Sequence, residues 1–512
     1  MSTTNRYSEL PQFPESIWRA TTEFPPFERL AEDIQSEVTV VGAGIAGITT
    51  AYLLAQAGKD VVVLEAGSIL DGTTGHTTAK ITSQHGVIYD ELLRHFGEEQ
   101  ARQYYEANEG ALHFIRNLVK RHGIDCQLKD EDAYVYVQEE KNRKQLEDEF
   151  KAYEKLGIPG EWVDRIPLPV MSHGAIRLGG QAQFHPLEYL KFMVHELQRM
   201  GVRIYEHTTA DKIEEHDDHV RVTVQRGYHN IDSQHVVSTS HFPFYDPAMY
   251  FARLHAERSY AIAIKPETTY AGGMYITADT PDRSFRSVLL DGEELVIVGG
   301  ENHKTGQGIC TFGHYERLEA FAGQTLGIRQ APYRWSAQDL ITLDKVPYIG
   351  QISGGKDRVF VATGFAKWGM THGTLAGQML SSQILGQDNP YTDLFTPSRF
   401  KASPSIKNFV VQNANVAKEL ISGKVDIVHT HVDDLGPDEG AIVRHDGRKA
   451  GAYRDKEGNL HLVDATCTHM GCEVEWNNGE RSWDCPCHGS RFGYDGHVIE
   501  GPAKKDLDKL SQ

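Results

Sequence analysis

Two short boxes near the C-terminus carry the residues best suited to bind a metal. The first box runs from Cys467 to Cys472 as CTHMGC, and the second begins CPCHG at Cys485. Each box offers thiols and an imidazole, which are ligands both for zinc and for iron–sulfur clusters. Four of the six cysteines fall in this window, and such clustering favours metal chemistry over a scattered disulfide scaffold.

The order of the ligands is typical of a Rieske [2Fe-2S] cluster, in which two thiolates hold one iron and two imidazoles hold the other. The expected ligands are Cys467 and His469 from the first box, with Cys485 and His488 from the second. A zinc site that uses some of the same residues is the alternative. The Gly-Pro-Ala segment at 501–503 resembles the proline loop over a Rieske cluster and favours iron and sulfur.

The resemblance to high-potential Rieske proteins implies further roles in the same boxes. Cys472 and Cys487 correspond to the disulfide that links the two loops in those proteins. Ser490 corresponds to a hydroxyl that hydrogen-bonds a cluster sulfide, while Phe492 stands where a tyrosine is often found. Hydrogen bonds to cluster sulfur tune the potential, so the missing phenol predicts a somewhat lower reduction potential.

The N-terminal part of the chain contains a phosphate-binding turn. From Glu37 the sequence predicts a strand, a tight turn, a helix over 45–57 and a second strand over 61–64. The first glycine makes the turn, the second lets the backbone approach a pyrophosphate, and the third allows close helix packing. Glu65 ends the second strand, where an acid binds a ribose, so the cofactor could be NAD or FAD. The three glycines are Gly42, Gly44 and Gly47.

Two further segments distinguish between these cofactors. They read AGSILDGTTGHTTAKITSQHG after Glu65 and VFVATGFAKWGMTHGTLAGQML from Val359. Both resemble the D-amino-acid oxidase and glycine oxidase family of FAD-dependent oxidoreductases, and the resemblance spans most of residues 37–390. It implies an α/β Rossmann-like FAD-binding domain with an interleaved α+β substrate domain, and it implies oxidation of an amine or amino acid.

The same resemblance implies individual FAD contacts. The first segment passes beside the isoalloxazine ring, the second closes over the flavin, and a strand following a helix ends beside the adenine. In this chain the family's usual Ala-Thr-Gly strand end is replaced by STS at 238–240. The implied contacts are Thr74, His76, Thr77, Ala210, Gly364, Gly369, Met370 and Thr371.

Four side chains invite a chemical role. His76 lies in a segment similar to the G-S-T-W-H-A of dimethylglycine dehydrogenase relatives, whose histidine bonds covalently to the flavin; covalent linkage, a noncovalent contact and no role all remain open. Lys80 aligns with a basic residue that flanks the flavin, or is a loop lysine. Arg334 is a candidate anion anchor and His372 a candidate acid or base, although either could simply orient the structure.

Composition limits the possible partners. The net charge of −19 makes nucleic acid an unfavourable ligand, because phosphate binding depends on Lys and Arg. No apolar run predicts a membrane span, and no export signal is recognised, so a cytoplasmic location is expected. The 512 residues predict several domains: an extension over 1–36, the FAD-dependent oxidoreductase over 37–395 with its substrate subdomain at 110–165 and 242–330, a connector over 396–424, and a small all-β Rieske domain over 425–512.

The combination of cofactors predicts electron splitting. A flavin takes two electrons from an organic substrate, whereas the cluster carries one. The chain is therefore expected to oxidise a small amine or amino acid and pass electrons through the cluster to an external acceptor. Two alternatives stay open: the cluster feeds the flavin in a reductase or monooxygenase reaction, or the flavin domain is an oxidase with the cluster as a redox sensor.

Overall fold

The computed structural model describes residues 10–511 apart from 12, 309–310, 353, 355–356, 400–401 and 426–429. Within this part of the chain, two large sheets with flanking helices are followed by two small antiparallel sheets. The predicted fold class, α/β followed by all-β, is therefore confirmed.

The first large sheet has a parallel centre that contains the predicted strand–helix–strand unit. Its second strand forms over Val61–Leu64, and the helix covers Ile45–Gln56. Two antiparallel strands, Ala210–Glu215 and Val220–Val224, extend the sheet beside His229–Ser238. In spatial order the main strands are Tyr348–Gln351, Val359–Thr363, His229–Ser238, Ile34–Val41, Val61–Leu64 and Arg203–Tyr205.

The second large sheet is mostly antiparallel and faces the carboxyl end of the first. Three of its strands lie wholly or mostly outside the ranges 110–165 and 242–330 expected for this domain, because they pair with its other strands over long sequence distances: Lys80–Ile81, Ala175–Gln183 and Ile328–Thr342. In spatial order the strands are Ile328–Thr342, Leu254–Pro266, Glu293–Lys304, Arg283–Leu290, Met274–Thr277, Lys129–Tyr136, Ala175–Gln183 and Lys80–Ile81, with Gly160–Val163 beside Ala175–Gln183.

Helices cover the sheets and position the turns between them. Gly373 and Gly377 lie where a Cβ would approach Ile45 and Thr49 to 2.6 and 2.5 Å, so two helices pack closely behind the turns. No helix in the described ranges has the length and apolar character to cross a membrane. The α-helices are Ile17–Thr21, Ile45–Gln56, Tyr89–His122, Arg143–Leu156, Pro186–Arg199, Phe312–Leu326, Gly369–Ile384, Thr392–Phe395 and Ala402–Val425.

The N-terminal extension packs against the segment that follows the phosphate-binding unit. Ser16 Oγ donates a hydrogen bond to the Gly75 carbonyl at 2.5 Å, and Trp18 Nε1 donates to the Thr77 carbonyl at 2.7 Å. Trp18 is fully buried. The extension therefore holds this segment in place.

The C-terminal domain follows a helix, Ala402–Val425, that occupies much of the range expected to be a connector. Its core includes Trp483 and Phe492, both fully buried beside the cysteine boxes. The strands are Glu439–His445, Arg448–Arg454 and Leu460–Asp464 in one sheet, and Glu475–Asn477, Ser482–Asp484, Arg491–Gly493 and Val498–Glu500 in the other.

A buried ionic network joins this domain to the second large sheet. Arg258, with a fully buried side chain, places Nη2 2.8 Å from Glu500 Oε2 and Nε 4.0 Å from Asp484. Arg491 lies 3.1 Å from Asp484 and 3.6 Å from Glu500. Paired buried charges demand fixed geometry, so the network sets how the two domains meet.

Candidate functional site

The glycine turn has the tight geometry that its sequence predicts. Gly42 has a φ of +104°, and a Cβ there would lie 2.5 Å from the Thr239 carbonyl oxygen. A Cβ at Gly47 would lie 1.9 Å from the Gly42 carbonyl oxygen, so Gly47 packs the helix against the turn behind the cavity. Glu65 accepts hydrogen bonds from the Ala43 and Gly67 amides at 2.9 and 3.0 Å.

These residues open onto a cavity of about 1030 Å³ between the two large sheets. Gly42, Gly44 and Glu65 line one end, together with Ala210. Burial raises the pKa of Glu65, although the amides around it oppose that shift. Residues of the phosphate-binding turn and residues of the second sheet line the same cavity. A dinucleotide bound at the turn could therefore extend to the second sheet.

The segment after the second strand forms a side wall of this cavity. Thr74 Oγ1 accepts a hydrogen bond from the Ile45 amide at 3.1 Å and so occupies the helix N-terminus. His76 and Thr77 also line the cavity. The His76 carbonyl accepts a hydrogen bond from Trp335 Nε1 at 2.9 Å, which ties the segment to the second sheet.

The turn at 364–370 forms another wall, because Gly364, Gly369 and Met370 line the cavity. Thr371, expected to contact FAD, is not among the residues that line the cavity. It lies in the first turn of the helix, where its Oγ1 is 3.1 Å from His85 Nε2 and 3.3 Å from the Trp368 carbonyl. The side chain is thus engaged behind the wall, and the expected contact of this residue with FAD stays a prediction.

His372 also lies behind the wall. Its ring is fully buried, with Nδ1 3.0 Å from the Phe365 carbonyl and Nε2 3.0 Å from the Tyr104 hydroxyl. Burial lowers its pKa to about 4. The expected acid or base is therefore a neutral group that orients the 364–370 turn.

Arg334 is corrected in the same way. Its side chain is fully buried, with Nη1 donating to the Gly479 carbonyl at 2.8 Å and Nε donating to the Pro11 carbonyl at 2.5 Å. The guanidinium lies 4.8 Å from the Tyr315 ring. The predicted anion anchor instead fastens the C-terminal domain, because its strand points this side chain away from the cavity.

Lys80 does face the cavity, as the sequence suggested. Its Nζ donates hydrogen bonds to the hydroxyls of Thr78 and Ser284 at 3.2 and 3.0 Å. Burial, with the positive charge of Arg286 nearby, lowers its pKa to about 7. An ammonium held by two neutral hydroxyls is suited to pair with an anionic ligand.

A carboxyl group on the same cavity wall escaped sequence inspection. Asp339 is buried, accepts a hydrogen bond from Ser259 Oγ at 3.0 Å, and has its pKa raised to about 7 by burial. A second acid, Asp282, pairs with Lys367 at 2.6 Å. The signal that could have revealed Asp339 is a carboxyl group near the end of a strand, Ile328–Thr342, directly before the apolar pair Leu340 and Ile341.

The C-terminal boxes bring all four expected ligands together. The Cys485 thiol hydrogen-bonds the Cys467 sulfur and lowers the pKa of that thiol, which favours a thiolate. The rings of His469 and His488 are 5.1 Å apart. The Nδ1 atom of each imidazole is buried without a hydrogen-bond partner.

These features fit a metal centre held by two thiolates and two imidazoles, which is the ligand set of a Rieske cluster. Unpartnered buried imidazole nitrogens are costly unless a metal binds them. The sulfurs of Cys472, Cys485 and Cys487 lie within 4.8 Å of one another, but Cys472 and Cys487 form a disulfide and are not available as thiolates. Two cysteines and two histidines therefore remain as ligands.

Two aromatic side chains that the sequence did not reveal pack against the cluster histidines, and one of them also lines the cavity. The Phe242 ring lies 6.3 Å from the His469 ring, and the Phe251 ring lies 5.6 Å from the His488 ring. Phe242 also lines the cavity. Phe242 lies two residues after the STS at 238–240, where the family usually has Ala-Thr-Gly. The segment that departs from the family pattern is therefore next to a residue that contacts the cluster site.

Comparison with known families agrees with both halves of the chain. Residues 37–383 match the family described as FAD dependent oxidoreductase (DAO), and residues 426–511 match the Rieske [2Fe-2S] domain. The Rieske 2Fe-2S iron–sulfur protein YhfW of Bacillus subtilis (strain 168) is 48% identical over 97% of this chain and 97% of its own.

Two solved structures share the fold of the larger part. Glycine oxidase from Geobacillus kaustophilus matches 72% of this chain and 99% of its own, with a TM-score of 0.58 and 18% identity. L-proline dehydrogenase from P. horikoshii matches 72% of this chain and 98% of its own, with a TM-score of 0.60 and 18% identity.

Proposed function

Because the chain belongs to the DAO family of FAD-dependent oxidoreductases and carries a Rieske domain, we propose that it is an amine or amino-acid dehydrogenase whose electrons leave through the cluster. It binds FAD and a [2Fe-2S] cluster and acts on a C–N bond. Flavin accepts a hydride and the cluster transfers single electrons, which supplies the redox chemistry. The external acceptor is a separate molecule.

The observation that carries this proposal is the contact between the two sites. Phe242 lines the cavity and packs its ring against the cluster ligand His469. The imidazole edge of the cluster site is thereby turned toward the oxidoreductase domain of the same chain. This arrangement supports internal electron transfer over a cluster that serves as a separate sensor.

The protein supplies proton transfer and orientation. Asp339 can take a proton from a substrate ammonium, because its pKa of about 7 leaves a carboxylate fraction at neutral pH. Lys80 can hold a substrate carboxylate, where the substrate has one. The relatives of known fold include a glycine oxidase and an L-proline dehydrogenase, which support an amino acid or amine substrate.

The experiment is anaerobic mixing with a panel of amines and amino acids. A substrate should bleach the flavin absorbance, and the electron paramagnetic resonance signal of the reduced cluster should follow without added mediator. Cys485→Ser is the matched variant, since with excess FAD present it should retain bleaching but lose that signal. Bleaching with a permanently oxidised cluster, together with stoichiometric hydrogen peroxide in air, would instead assign an oxidase.

A further inference from the structure

We propose that the C-terminal domain forms part of the FAD site itself, so that cluster binding and FAD binding stabilise each other. The residues concerned are His497–Asp506, here called the roof segment. This goes beyond the proposed function, because it holds for either direction of electron flow and for any substrate.

The roof segment closes one side of the cavity that contains the phosphate-binding turn. All of its residues except Lys505 line this cavity, as do Gly42 and Gly44. Ile499 keeps 45% of its surface exposed beside the opening. A dinucleotide lying on the glycine turn would thus have protein from the C-terminal domain on its other side.

Lys504 is the charged member of the roof segment at this place. Its Nζ donates a hydrogen bond to the Asp211 carbonyl at 2.6 Å and lies 5.7 Å from the centre of the Phe244 ring. Asp211 follows Ala210, the residue that resemblance places beside the adenine. The Lys504 ammonium lines the cavity, where an anionic phosphate would form a charge-assisted contact with it.

The cluster boxes hold the roof segment from behind. The Ala503 amide donates to Ser490 Oγ at 3.0 Å, and Ser490 directly follows the second cluster box, after Gly489. Thr468, between two ligands, donates through Oγ1 to the Lys505 carbonyl at 2.6 Å. Ordering of the boxes by the cluster therefore orders the roof segment.

Two sites that share one ordered segment are thermodynamically linked. If the cluster raises the affinity for FAD, then FAD raises the affinity for the cluster by the same factor. The first ligand to bind orders the segment, and the second then binds without that loss of conformational entropy. Loss of the cluster should accordingly weaken FAD binding, although no cluster ligand belongs to the FAD-binding fold.

The first test compares two charge reversals in neighbouring residues. Lys504→Glu and Lys505→Glu change the net charge equally, and both side chains are exposed, but only Lys504 lines the cavity. The dissociation constant for FAD is measured by flavin fluorescence on deflavinated full-length protein whose cluster is verified by paramagnetic resonance. Loss of a charge-assisted contact predicts about tenfold weaker binding for Lys504→Glu. Equal constants for the two variants would overturn the proposal.

The second test removes the cluster with a chelator and leaves the sequence unchanged. The FAD dissociation constant should increase relative to the cluster-loaded protein, while circular dichroism confirms that the helices and strands persist. An unchanged constant in the folded cluster-free protein contradicts the coupling. If chelation unfolds the domain, the two charge reversals decide the question. No substrate is present in either test, so the result is separate from that of the proposed function.

Discussion

The cluster site and the FAD cavity are built in opposite ways. The cluster ligands lie in one window from Cys467 to His488, whereas the residues around the cavity range from Arg29 to Asp506. A local site is held by its own loops, while a distributed site depends on the packing of several elements. Substitution of one cluster ligand should therefore abolish the cluster. Substitution of one residue that lines the cavity should reduce binding or activity only in part.

The largest effect is expected at a cluster ligand. Cys485→Ser removes a thiolate, so the paramagnetic signal of the reduced cluster should be lost completely. The flavin absorbance should return when excess FAD is added, because the oxidoreductase domain keeps its fold. Cys126→Ser alters a buried thiol in the other domain and should retain the signal. Loss of the signal in both variants would contradict a local site.

Next in size is the cost of breaking the interface between the domains. Arg258→Leu removes one of the two buried guanidinium groups that pair with Glu500 and Asp484 and leaves only Arg491, which should cost about 3 kcal/mol of unfolding free energy. The measurement is urea denaturation followed by fluorescence. Arg329→Leu is the control, since its ion pair is 3.8 Å long and more than half exposed. Equal losses would mean that the network does not secure the interface.

Proton transfer in the cavity gives the third effect. Asp339→Asn should lower kcat/KM at neutral pH by about 10²-fold, as expected for loss of a general base. The raised pKa of about 7 means that the carboxylate forms as pH increases, so the wild-type rate with an amine that has no carboxylate should increase through pH 7. The variant should lack this increase. If the variant kept the same increase of rate with pH, the proton transfer would belong to another group.

The smallest effect concerns charge at the same cavity. Lys80→Met should raise KM about tenfold for substrates with a carboxylate, which is the range for one charged hydrogen bond. Since the pKa of Lys80 is lowered to about 7, its ammonium is lost as pH increases, and kcat/KM should decrease above neutrality. Amines without a carboxylate provide the control. An equal change for both substrate classes would contradict the anchor.

The sequence was most informative where spacing itself determines structure. The glycine turn and the strand over Val61–Leu64 follow from steric and hydrophobic rules that act over a few residues. The cluster ligands follow from the spacing of Cys and His within the two boxes, and the structure brings all four side chains together. Their coordination of the cluster, like each individual FAD contact, stays a prediction.

Side-chain direction across long-range pairs could not be read in the same way. Arg334 and Asp339 belong to one strand, yet Arg334 binds the C-terminal domain and Asp339 faces the cavity. Sequence alone supplies the alternation but not which face meets which neighbour. Thr371 gives a second example, because adjacent residues of a helix point in different directions. Met370 lines the cavity, whereas the side chain of Thr371 lies within hydrogen-bond distance of His85.

The position of Arg258 and Arg334 has a consequence for dissecting the protein. Both guanidinium groups are fully buried, and each bonds to the C-terminal domain. A fragment that ended before that domain would present two arginines and their apolar surroundings to solvent, and it would resemble an unfilled subunit interface. The fusion thus resembles a heterodimer formed within one chain. Each half depends on the other through buried polar contacts across their interface.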